Sequence, residues 1–131
     1  HCDFIYTTHS TKFGDTHTKF GLRPTWGMSQ TLSRAVGQRR ARELSFTAKI
    51  FTGAQAVEWG IANDSFETPE ALDDALAATC AQITANSPEA VAAMKDLYRL
   101  AENEEGIRAS LKGETTSQYS ITDTEERLSA F

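Results

Sequence analysis

The chain has 131 residues, 40% of them hydrophobic and 24% charged, with a net charge of −5, which fits one soluble globular domain. No run is long and apolar enough to span a bilayer, and Cys2 and Cys80 stand far apart without neighbouring ligands at metal spacing. That pattern speaks against a disulfide scaffold or a metal centre and for a reduced, cytoplasmic setting.

The first strand is expected over 3–8, where Asp-Phe-Ile-Tyr-Thr-Thr is rich in aromatic and β-branched residues. It follows His1 at once, with no initiator Met, so an upstream portion is expected to have been removed. Phe13-Gly14 forms a second brief strand, and 15–21 an acid-capped single turn of helix stopped by glycine. Arg23-Pro24-Thr25 is a loop, since a residue before proline avoids the α region.

A helix from Trp26 or Gly27 to Val36 should end at Gly37, and a second should run over 39–47. A short strand at 49–52, a short helix at 53–59 and an extended stretch at 61–66 follow. Thr68-Pro69-Glu70 and Ser87-Pro88-Glu89 then read as two helix starts, each with a capping hydroxyl, proline at the first helical position and an acid in the first turn. Their apolar stripes are Leu72, Ala75, Leu76, Thr79, Cys80 and Ile83, then Val91, Met94, Leu97, Tyr98 and Ala101. A polar helix over 104–119 and a last turn or two within 122–131 complete the chain.

Charge divides with this pattern. Residues 1–50 carry eight Lys/Arg against three acids, net +5, and the remainder is net −10. The basic part suits a phosphorylated ligand, while the acidic remainder argues against a nucleic-acid surface along the chain. Solvated helix faces are the plainer reading of both.

Several stretches taken together resemble a known family. Cys2-Asp3-Phe4, Phe13-Gly14, Gly21-Leu22-x-Pro24, Gly27-x-Ser29-Gln30-x-Leu32-x-Arg34-x-Val36-Gly37, Glu43-Leu44 and Ala54-x-Ala56-Val57-x-x-Gly60-Ile61-Ala62-Asn63 are similar, in order and spacing, to the second half of the enoyl-CoA hydratase/isomerase (crotonase) superfamily. Ser87-Pro88-x-Ala90 with Lys95, and Thr122-Asp123-Thr124-Glu125 with Ala130-Phe131, resemble its C-terminal helices.

The resemblance implies an α/β fold, the end of a β-β-α spiral over residues 1–66, followed over 67–131 by a helical segment that packs between subunits. It implies a homo-oligomer, a trimer or hexamer, that binds an acyl-CoA without a further cofactor, metal or membrane. The chemistry would be hydration or isomerisation of an enoyl-CoA through an enolate held by two backbone N–H donors. Both donors and the first of two catalytic glutamates lie upstream of Cys-Asp-Phe in the family. The 131 residues alone are therefore expected to be inactive, with open strand edges that invite association. A non-catalytic acyl-CoA binder of the same fold is the alternative.

The second glutamate of the pattern should stand three residues after Phe-Gly, and that position is His17. Histidine changes charge near neutral pH, so it can act as acid or base; otherwise it only hydrogen-bonds the loop or a neighbouring subunit. Trp26, Gly14 and Lys95 are the candidate substrate contacts: Trp26 shapes the acyl pocket or packs as plain core, and Lys95 reaches a CoA phosphate or lies on a solvated helix face, two readings shared by the Arg39-Arg40-Arg42 cluster, for which subunit contacts are a third. Trp59 and Met94 read as core, His9 as solvated, and Asp15 as a helix cap.

Overall fold

The computed structural model describes residues 2–24 and 27–103, with 116, 122, 124, 126 and 129. By their contacts the residues group into two compact units, His1–Ala77 and Ala78–Phe131, which part within a helix. Trp26, most of the final turn and, except for Thr116, the expected helix over 104–119 lie outside the described residues.

In the first unit, β1 (Tyr6–Thr8) pairs in parallel with β4 (Asp64–Phe66), and β2 (Lys12–Phe13) pairs antiparallel with β3 (Phe51–Thr52). The register sets Tyr6 against Asp64 and Lys12 against Thr52. The strand at the start is shorter than the β-rich sequence suggests, because its first residues meet only a corner. There Ile5 donates its N–H to the Asn63 side-chain oxygen at 2.9 Å and accepts from the Asn63 N–H at 2.8 Å.

Helix α1 (Met28–Thr47) is two helices joined at Gly37, whose φ of 75° and ψ of 161° are not helical. An L side chain is strained in that region, so glycine is what lets the chain turn and resume at once. Beyond it, α2 (Gly53–Glu58) starts with a complete capping box. The Thr52 hydroxyl accepts from the Gln55 N–H at 3.2 Å, and the Gln55 side-chain oxygen accepts from the Thr52 N–H at 2.9 Å.

The core of this unit is Leu32, Ala41, Leu44, Phe51, Ala56 and Ala62, all buried, with Phe13, Met28, Val36, Val57, Trp59 and Ile61 packed on its rim. Phe13 stacks on Phe51 at 5.7 Å between ring centroids, and Phe51 meets Trp59 at 5.2 Å. The Arg40 guanidinium lies 5.0 Å from the Trp59 ring centroid and the Lys49 ammonium 5.8 Å, so this indole closes the core and carries charge on its outside. Gly53 fits because there is no room for anything larger: a Cβ there would overlap the Thr8 carbonyl oxygen. Gly53→Ala must displace main chain, and an unfolding titration should find it destabilised by about 1–3 kcal/mol.

Helices α3 (Pro69–Ala85) and α4 (Pro88–Asn103) begin where the Thr-Pro-Glu and Ser-Pro-Glu signals stand. The Thr68 and Ser87 hydroxyls accept from the N–H of Ala71 and Ala90 at 3.2 and 3.4 Å. Their stripes are covered differently from expectation. In α4 the buried residue is Ala93, whereas Val91, Met94 and Tyr98 are exposed, and Met94 is not core. In α3 Leu76 and Ile83 are exposed as well.

Candidate functional site

The polar loop after β2 leads into a 3-10 turn at Thr18–Phe20, with His17 in the capping position and no side-chain cap. Asp15 is therefore not the capping residue. It is buried, and its carboxylate is taken up by three donors. Oδ1 accepts from the His17 backbone N–H at 3.3 Å and lies 2.6 Å from His17 Nδ1, while Oδ2 accepts from the Ser45 hydroxyl at 2.6 Å. The Thr18 hydroxyl in turn donates to the Ser45 carbonyl at 2.6 Å. One residue in the second half of α1 thus fastens both the carboxylate before His17 and the turn after it.

Burial pushes the Asp15 carboxyl up, but the hydrogen bonds from Ser45 and His17 and the charge of the imidazole outweigh it, and the net result lies below the ordinary value of 3.8. A lowered pKa in the folded state means that ionised Asp15 stabilises the fold above pH 3.8 and that this contribution is lost as pH falls further. Denaturant midpoints of the wild type and Asp15→Asn should accordingly differ at neutral pH and converge below about pH 3.8.

Asp15 and His17 sit in a cleft of about 330 Å³ within the first unit. Ser29, Leu32 and Ser33 line it from the first half of α1, Gln38, Ala41, Arg42, Ser45 and Phe46 from the second, and Thr18 and Pro24 from the loop. The His17 side chain retains 21% of its exposure against 4% for Asp15, so the carboxylate is shielded while the imidazole reaches the cleft. A carboxylate–imidazole pair of this kind can accept a proton, hold the imidazolium and give the proton back.

Of the residues singled out in sequence, Gly14 stands next to Asp15, where a Cβ would press on the Ile50 side-chain tip at 2.5 Å. Lys95 is an exposed residue of α4, in the second unit. His9 is exposed, with Nδ1 2.8 Å from the Ser65 hydroxyl. The sequence reading missed Ser45 as a cleft residue and took Asp15 for a cap; Arg42, weighed there only as one of a basic cluster, also lines the cleft. The spacing of two between Asp15 and His17 within a tight polar loop was the one available signal for their pairing.

The profile of the enoyl-CoA hydratase/isomerase family matches residues 1–131. A probable peroxisomal enoyl-CoA hydratase of Arabidopsis thaliana is 43% identical over 74 residues, which are 56% of this chain and 28% of that protein. A probable enoyl-CoA hydratase of Rhizobium meliloti is 30% identical over 132 residues, covering 99% of this chain and 51% of the relative. Against a Thermobifida fusca protein solved in complex with acetoacetyl-CoA, the fold superposes with a TM-score of 0.79 at 26% identity, over 99% of this chain and 48% of that one. The chain thus spans about half the length of these full-coverage relatives, and its paired strands and broken helix are a part of the crotonase fold. A profile matched from first residue to last and a fold shared over the same span leave one assignment: this chain belongs to the enoyl-CoA hydratase/isomerase family.

Proposed function

We propose that the protein carrying this chain hydrates or isomerises an enoyl-CoA thioester, with His17 as the group that moves the proton. The observation that carries the reading is the short Asp15–His17 contact of 2.6 Å beside a cleft, at the position where the family pattern has an acid. The ligand of the Thermobifida fusca neighbour, acetoacetyl-CoA, supports an acyl-CoA as the substrate class. In hydration, the water oxygen bonds to the β-carbon as one of its protons passes to His17. Electron density moves through the alkene to the thioester oxygen, and the imidazolium then returns the proton to the α-carbon. Isomerisation uses the same atom to take a proton from one carbon and deliver it to another.

By the same family pattern the oxyanion donors and the other glutamate belong upstream of Cys2, and Trp26, Gly14 and Lys95 are proposed to contact substrate. Assembly as a trimer or hexamer and a cytoplasmic location belong to this reading too. Both cysteines are free and exposed, which agrees with a reducing compartment.

The test is turnover of crotonyl-CoA by the protein that carries this chain. Appearance of a 3-hydroxyacyl thioester supports hydration, and migration of the double bond in a longer enoyl-CoA supports isomerisation. Binding of the thioester with neither product would leave only an acyl-CoA binder and defeat the enzymatic reading.

A further inference from the structure

We infer that Asp15 and Ser45 are positioning residues: together they select which nitrogen of His17 carries the hydrogen and thereby make Nε2 its proton-transferring atom. This rests on the reading of His17 as the acid–base group and adds to it a specific tautomer and the residues that impose it.

The donor and acceptor count leads there. A carboxylate only accepts. Its Oδ1 stands 2.6 Å from His17 Nδ1, so a hydrogen must lie on Nδ1 in the neutral ring as well as in the imidazolium. The neutral ring then holds its lone pair on Nε2, the form that a base requires. Were Nδ1 the bare nitrogen, two electron-rich atoms would face each other at that distance, without water to separate them, beside a carboxylate only 5% exposed.

Ser45 matters because a carboxylate can rotate. Its hydroxyl has to be the donor at Oδ2, at 2.6 Å, and this fixes the plane in which Oδ1 meets the ring. The His17 backbone N–H adds a second donor to Oδ1 at 3.3 Å. The Ser45 carbonyl meanwhile accepts from the Thr18 hydroxyl, so the ring is held by the residue two before it, and the backbone after it is tied to the same point on α1. Asp15 and Ser45 are 30 residues apart in sequence, so the contact between them is a product of the fold.

The experiment reads the tautomer directly, by nitrogen-15 NMR of the His17 ring in the protein that carries this chain, without substrate. The expected wild-type signal is a neutral ring protonated at Nδ1. Asp15→Asn should lose that preference, because the amide can present N–H to the ring, and should lower kcat for crotonyl-CoA by about 10²–10⁴-fold with KM little changed. Ser45→Ala should cost less, about 10-fold, the worth of one hydrogen bond to a charged group, and Ser45→Thr, which keeps the hydroxyl, should restore most of the rate. A wild-type ring protonated at Nε2, or an unchanged tautomer and rate in both Asp15→Asn and Ser45→Ala, would overturn the proposal. The tautomer is measured without turnover, so it stands or fails separately from the acid–base role, which His17→Ala decides.

Discussion

His17→Ala is expected to lower kcat for an enoyl-CoA by about 10²–10⁴-fold, the range a positioned general acid or base usually supplies, which corresponds to about 3–5 kcal/mol of barrier. The loss should fall on kcat with KM close to wild type, because the imidazole is asked to move a proton and not to hold the CoA. A variant turning over at the wild-type rate would remove His17 from the chemistry.

The more telling change is His17→Glu, which installs the acid that the family pattern has at this position. It does not recreate that arrangement, because Asp15 is already buried there with its Oδ1 2.6 Å from the side chain being replaced. Two carboxylates so close cannot both ionise. One would be held protonated or swung away, and the expected activity is below wild type. Asp15 and His17 are therefore a matched pair, and a glutamate should work here only once Asp15 is replaced by a neutral residue.

Leu44→Ala should be the most destabilising single truncation in the first unit. Leu44 is 1% exposed and is the largest fully buried side chain among the described residues, and removal of such a leucine costs about 2–5 kcal/mol. Against a typical total stability of about 5–15 kcal/mol, that is a large share. Leu44 also immediately precedes Ser45, so the resulting cavity slackens the segment that fastens the Asp15 carboxylate. The expected outcome is a lower denaturant midpoint together with a weakened Nδ1–H preference in the ring of His17. A midpoint loss worth less than about 1 kcal/mol would mean that neighbouring Leu32 and Phe51 had collapsed into the space.

The local elements were legible because each carries a signal within a few residues. Gly37 announced the break in α1, and Pro69 and Pro88 the starts of α3 and α4; the Thr52–Gln55 capping box of α2 carries an equally local signal but was passed over. Which face of a helix is covered is a different kind of fact. Val91, Met94 and Tyr98 have helical spacing, yet the small Ala93 is the buried residue, and periodicity cannot say which side finds a neighbour. The site divides in the same way. His17 was singled out by its place in the family pattern after Phe13-Gly14, but Ser45 was not, because a hydroxyl 30 residues from Asp15 leaves no mark in the sequence. Asp15 was misjudged for a related reason: an acid before a short turn looks the same whether it caps the turn or serves the side chain beside it.

The corner at Gly37 governs more than the course of α1. Two walls of the crevice, Ser29 to Ser33 and Gln38 to Phe46, are cut from one length of polypeptide, so their separation follows from the main-chain rotation between them. A change at that one angle would move the Ser29–Ser33 wall while Ser45 kept its hold on the Asp15 carboxylate.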